Sequence, residues 1–124
     1  MRHLKSTKKF KRNRAERKHL WIDLCQALIK HGKIVTFTAR AKWFRAKIER
    51  MITYCKRNID DEVAALRLLR RYFPEDLSKK LYREIAPKYT NVSGGYTSIY
   101  KLSQVYNQEA KCLVTFSEVS EIKE

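Results

Sequence analysis

The sequence predicts a single α+β domain, and three observations predict it. Apolar residues recur at helical spacing through residues 14 to 85; β-branched and aromatic residues crowd one short run before residue 38 and two runs after Pro87; and only three Gly and two Pro interrupt 124 residues. The expected order is helix, strand, three helices, two strands, with the helices packed on a small mixed sheet. A chain of this length makes one core rather than two. The domain is expected over 14–119, preceded by a basic extension, 1–13, and followed by a polar tail, 120–124.

The first helix is expected from about Arg14 to His31, where Leu20, Leu24, Ala27 and Leu28 fall at steps of three and four with Trp21 and Cys25 beside them. Gly32 stands where a left-handed residue ends a helix. GKIVTF then reads as a strand. Thr38 is placed to cap TARAKWFRAKIERMITYCKR, in which Ala41, Phe44, Ile48, Ile52 and Cys55 make one apolar face while Arg40, Lys42, Arg45, Lys47 and Arg50 occupy the others. Asn58 or Asp60 would cap a third helix carrying Val63, Leu66, Leu69 and Phe73. Pro74 stops that helix and opens a fourth, with Leu77, Leu81 and Ile85, up to Pro87. TNVSGG is a loop. YTSIYKLSQVY and CLVTFSEVS read as an antiparallel pair, with Cys112, Val114 and Phe116 alternating as a half-buried strand requires.

The net charge of +15 is unevenly divided. Residues 1–20 carry nine Lys or Arg against Glu16, and residues 33–57 carry eight against Glu49, whereas from residue 58 onward ten cations face ten acids. A surface charged only for solubility would not divide this way. The first twenty residues hold few large apolar groups, Met1, Leu4, Phe10 and Leu20, too few to offset an ordering cost of about 1 to 2 kcal/mol per residue. A polyanion would supply the order. A solubilising arm is the bland alternative, and a membrane-surface arm would need an apolar face that is absent. Nucleic acid fits best, with Arg2, Lys5, Lys8, Lys9, Lys11, Arg12, Arg14, Arg17 and Lys18 as phosphate contacts from the extension, and Arg40, Lys42 and Arg45 from the body.

Aromatic residues beside these cations have two readings. Trp43 is either an edge core residue or a base-stacking platform, and Tyr96, Tyr100 and Tyr106 are either strand packing or the same. In SGGYTSIYK, Gly94 and Gly95 ahead of Tyr96 either make a plain turn or allow a phosphate close to the backbone, with Lys101 following.

Other function classes find little support. His3, His19 and His31 are scattered, no carboxylate pair is placed for acid–base work, and Asp60, Asp61 and Glu62 sit where they complement a helix dipole. The expectation is no enzyme, no catalytic residue, no cofactor, no metal and no small-molecule substrate. Cys25, Cys55 and Cys112 lack zinc-ligand spacing and read as buried thiols in a reducing compartment. There is no apolar run of about 18 residues and no signal-peptide pattern, so the chain reads as soluble, cytoplasmic and intact from Met1, with no membrane partner.

Three stretches, in order and at their observed separations, resemble the bacterial-type ribosomal protein family numbered seventeen in the large subunit. They are the opening Met1, Arg2, His3 with its basic run; Thr36, Arg40, Ala41, Lys42, Glu49 and Thr53; and Gly94, Gly95, Tyr96, Thr97 with Ile99 and Lys101. Glu16 and Ser98 stand where that family commonly has His and Arg, and YNQEAKCLV replaces its usual last loop. The resemblance implies an α+β protein bound to large-subunit ribosomal RNA near the nascent-chain tunnel exit, with neighbouring large-subunit proteins as partners and no homo-oligomer. It adds His3, Gly94, Gly95, Tyr96 and Lys101 to the RNA-contacting set. A freestanding nucleoid or regulatory DNA- or RNA-binding protein is the alternative, and it would read duplex through the basic face of the second helix.

Overall fold

The computed structural model describes residues 10–106 and 109–117. Helix α1 spans Arg14–His31, strand β1 Lys33–Phe37, helix α2 Thr38–Arg57, helix α3 Glu62–Leu69, helix α4 Glu75–Lys80, strand β2 Thr97–Tyr106 and strand β3 Glu109–Phe116. The strands form one sheet in the order β1-β3-β2, and both pairings are antiparallel. The expected mixed sheet is therefore corrected to an antiparallel one. β1 and β2 point the same way and would have paired in parallel had they been adjacent. β3 lies between them instead, because its alternation puts Cys112 and Val114 wholly inside.

α2 is the axis of the core. Phe44, Ile48, Ile52 and Cys55 recur along one face and are fully buried, each large side chain contributing about 1.5 to 3 kcal/mol over an exposed position. α1 packs on it through Trp21, Cys25, Leu28 and Ile29, whereas Leu20 and Leu24 are only half-buried. The stripe on α1 is thus turned from the expected one, towards Trp21, whose ring lies 5.2 Å from that of Tyr72. Burial raises the Cys55 thiol to about 12 and lifts Cys25 above its ordinary range, so both behave as small apolar groups. All three cysteines are free and buried, as their spacing implied.

Helix ends follow local chemistry more finely than the apolar pattern does. Asn13 caps α1: its Oδ1 accepts from the Glu16 amide at 2.9 Å, and the Glu16 carboxylate accepts from the Asn13 amide at 3.4 Å. Gly32 ends α1 at φ 79°, a left-handed conformation that costs a residue with a Cβ strain even though the space around it is open. Asp61, rather than Asn58 or Asp60, caps α3 through the Ala64 amide at 3.1 Å. Thr38 does not cap α2: its hydroxyl donates to the Ala110 carbonyl at 3.0 Å and lies 2.9 Å from Cys112 Sγ, fastening the helix start to β3. Val63, expected inside, is 67% exposed. α4 runs on into a wide π turn over Leu81–Ile85 and a 3-10 turn over Ala86–Tyr89. Pro87 explains the change, since it has no amide hydrogen and its ring would collide with a carbonyl one helical turn back. Among the described residues no helix is long and apolar enough to cross a membrane.

Candidate nucleic-acid interface

α2 turns its apolar residues inward and therefore presents its cations outward. Lys42, Arg50 and Arg57 are exposed, with no ion pair or hydrogen bond among the described residues. Arg40 is half-buried, its guanidinium 5.9 Å from the Phe37 ring. Lys47 folds back over Trp21 at 5.9 Å. Arg50 and Arg57 share a shallow cleft with Thr53, Gly94 and Tyr96. Neither arginine stood among the expected contacts, although both carry the same signal as Lys42: a cation on the polar side of an apolar heptad.

Two cations of α2 have structural work. Arg45, expected to meet RNA, donates from Nη2 to the Thr97 carbonyl at 3.1 Å and lies 3.5 Å from Glu49 Oε1. The same Glu49 oxygen accepts from the Thr97 amide at 3.3 Å and hydroxyl at 3.1 Å, so this pair pins the start of β2 to the helix. Lys56 points inward, donating to the Val92 carbonyl and, at 2.9 Å, to the Tyr96 hydroxyl. That bond from Lys56 is the main reason the Tyr96 phenol titrates below its ordinary value. Tyr96 itself is 3% exposed and packs on Tyr89 at 5.3 Å between centroids. Its ring belongs to the core, while Tyr100 is 56% exposed and the side chain of Tyr106 lies outside the described residues.

The glycine pair is held rather than loose. Gly95 has φ 67°, its carbonyl accepts from the Ser117 hydroxyl at 3.0 Å, and the Ser117 amide donates to the Tyr96 carbonyl at 2.8 Å. Ser98, one of the two departures from the family pattern, faces the Ser117 hydroxyl at 2.9 Å. Glu16, the other, closes the cap of α1. Both positions thus carry local folding contacts. Gly94 and Gly95 are exposed beside Arg50 and Arg57, where backbone and cations converge.

The extension enters the described structure at Phe10, whose ring meets Trp43 edge-on at 5.0 Å and 63°. Trp43 is half-buried, and this contact covers part of the face that a base would otherwise use. Phe10 and Lys11 sit at φ 52° and 53°, left-handed conformations that cost non-glycine residues about 1 to 3 kcal/mol each. Lys11, Arg12, Arg14 and Lys18 are exposed along the entry to α1, and Arg17 donates to the Arg12 carbonyl at 2.7 Å, with Lys18 5.6 Å above the Tyr72 ring. Arg2, His3, Lys5, Lys8 and Lys9 lie outside the described residues. Lys101 is exposed beside the first turn of α2, lining a cleft with Arg40. The expected residues that are described therefore fall at the entry to α1, on α2, in the glycine loop and, for Lys101, at the cleft beside Arg40.

Comparison with known proteins bears on the same segments. The family model of ribosomal protein L17 matches residues 20–116. The large ribosomal subunit protein bL17 of Sulfurihydrogenibium sp. is 38% identical over 121 residues, covering 95% of this chain and 98% of its relative. The protein of that name from Persephonella marina is 42% identical over 106 residues, covering 84% and 83%, and that from Thermus thermophilus is 37% identical over 105 residues, covering 84% and 86%. The match runs from α1 through β3 and takes in the basic helix, its Glu49 anchor and the glycine loop together, so the chain belongs to the ribosomal protein L17 family.

Proposed function

We propose that this protein is a structural, non-catalytic constituent of the bacterial large ribosomal subunit, cytoplasmic with the ribosome, that binds and compacts large-subunit ribosomal RNA near the nascent-chain tunnel exit beside other large-subunit proteins. Family membership supports the ribosomal role. It leaves the alternative of a freestanding nucleic-acid binder without support. One observation carries the RNA reading: α2 holds seven Lys or Arg, of which only Lys56 turns inward, against one acid, Glu49, and that acid is engaged by Arg45 and Thr97. Such a face lowers the repulsion of phosphates brought close together, each neutralised phosphate releasing counterions. The basic extension, 1–13, is an RNA-reaching arm of the domain that begins at residue 14; together with residues 14–20 it carries nine cations, which add to the same attraction for phosphate. Backbone contacts dominate, because A-form grooves offer side chains little sequence information.

The test is co-sedimentation of the tagged chain with ribosomes through sucrose gradients at moderate and high salt. Retention in the large-subunit peak at high salt is expected, and release into the free fraction would overturn the reading. Deleting residues 2–9, which leaves the Phe10–Trp43 contact in place, should keep the thermal midpoint and lower affinity for large-subunit ribosomal RNA at least tenfold.

A further inference from the structure

A second feature of the same side of the molecule is a cleft of about 670 Å³ at the end of the sheet, within the range of roughly 300 to 1,000 Å³ that takes small organic groups. It exists because β1 stops at Phe37 while the β2–β3 hairpin continues past it to Tyr106 and Glu109. The hairpin stem, the first turn of α2 and the incoming Phe10 enclose the space that β1 vacates. Its lining joins two aromatic residues, Phe10 and Phe37, with the cations Lys11, Arg40 and Lys101, and among the described residues it includes no carboxylate. Lys111, opposite Phe37 in the sheet, adds a further cation 5.9 Å from the Phe37 ring. The first turn of α2, which borders the cleft, has neither a side-chain cap nor an acidic residue.

We propose that this cleft receives one unpaired nucleotide of the ribosomal RNA, its base stacked on Phe37 and its phosphates held by Arg40, Lys101 and Lys11. The inference rests on the RNA-binding reading above and deepens it, from phosphate neutralisation to recognition of a strand that is not base-paired. Three physical points support it. An apolar ring in a hole ringed by cations matches a nucleotide, which has a π-face at one end and negative charge at the other. A duplex cannot enter, since its bases are stacked on one another and its width exceeds the opening of a cleft this size. Phe10 and Lys11, both in the cleft lining, hold left-handed backbone, a conformation that persists only where surrounding contacts fix it.

The experiment uses the full chain and protein-free bacterial large-subunit ribosomal RNA. The bound complex is irradiated at short ultraviolet wavelength, and the crosslinked peptides and nucleotides are mapped; in parallel, affinity is measured against salt for wild type, Phe37→Leu, Phe37→Tyr and Lys101→Ala. The expected result is a crosslink between the Ile34–Arg40 peptide and a nucleotide outside any helix. Phe37→Leu should weaken binding roughly 5- to 150-fold with the salt slope unchanged, because stacking and not charge is removed. Phe37→Tyr should restore binding, and Lys101→Ala should lower the slope by about one while keeping the crosslink. Circular dichroism and thermal midpoints establish that the variants are folded, and Lys101→Ala, at an exposed position, keeps the test valid should Phe37→Leu unfold. Affinity of Phe37→Leu within twofold of wild type, or a crosslink only to paired nucleotides, overturns the proposal while leaving the RNA-binding reading intact. Absence of wild-type binding to the RNA would overturn both.

Discussion

The outer face of α2 and the surface of α3 and α4 are both rich in charge, yet they are built on opposite plans. Around α3 and α4 three cations find acids: Arg70 and Lys79 share Glu75, at 3.0 and 3.1 Å, and Arg83 pairs with Glu62, while Arg67 and Arg71 have no ion pair among the described residues. Glu75 is held below the usual carboxylate range by these neighbours, Lys79 foremost. On α2 Glu49 pairs with Arg45 alone, while Lys42, Arg50 and Arg57 form no ion pair among the described residues. Exposed ion pairs contribute little to stability, so the α3–α4 surface is largely charge-balanced and solvated. Unpaired like charges on one helix repel, and a fold that keeps them must recover the cost from a partner.

Breaking the contrast on the α2 side should have the largest effect. Lys42, Arg50 and Arg57 replaced together by Gln should lower affinity for large-subunit ribosomal RNA by roughly two orders of magnitude and reduce the salt slope by about two to three, with the thermal midpoint held or raised. Replacing Arg70, Lys79 and Arg83 in the same way should change affinity less than threefold, and equal losses from the two triples would erase the distinction. Filter binding at several salt concentrations decides between them.

The anchors beneath the α2 face come next. Glu49→Ala removes the acceptor for the amide and hydroxyl of Thr97, which is 2% exposed, and should destabilise the fold by about 2 kcal/mol in urea unfolding. Lys56→Met leaves the Val92 carbonyl and the Tyr96 hydroxyl without their donor and should cost about 1 to 2 kcal/mol. RNA affinity measured on the folded fraction should fall less for Lys56→Met than for any outward arginine, because Lys56 faces the glycine loop from inside. A larger fall would place it among the contacts.

The inner face of α2 carries a pH dependence through Cys55. Cys55 titrates near 12 in the folded chain and near 9.0 when unfolded, so its neutral thiol favours the fold fully below about pH 9. That contribution fades as pH rises towards 12, since the unfolded thiol ionises first. By pH 10 the loss should be about 1 kcal/mol, and Cys55→Ala, though less stable at neutral pH, should show a shallower decline. The smallest effect belongs to the surface pairs: Arg70→Gln should shift stability by no more than about 0.5 kcal/mol in the same assay.

The elements that could be read in advance are those set by local chemistry. α1 runs over Arg14–His31 as its apolar spacing and Gly32 imply, and α2 buries the five residues that its periodicity singled out. The Asn13–Glu16 cap is equally local, since N-x-x-E ahead of an apolar run is a helix-start pattern, although here it lies inside a basic run. Thr38, Val63 and the stripe on α1 depart from what capping chemistry and spacing along one element imply, because each is decided by what lies across from it: Ala110 and Cys112 for Thr38, solvent for Val63, Tyr72 and α2 for Trp21.

Sequence by itself determined the class of fold, the cationic half and its match to a polyanion, because charge density, periodicity and turn residues act over a few neighbours and do not depend on the final path of the chain. Tertiary structure alone decided that β3 lies between β1 and β2, that Arg45 and Tyr96 serve the fold while Arg50 and Arg57 face outward, and that β1 ends early enough to leave a cleft at Phe37. These outcomes rest on contacts between residues far apart in the chain, such as Arg45 with Thr97 and Phe37 with Lys111. Such pairings form only when several elements close on one another at once, and no single stretch of sequence encodes them.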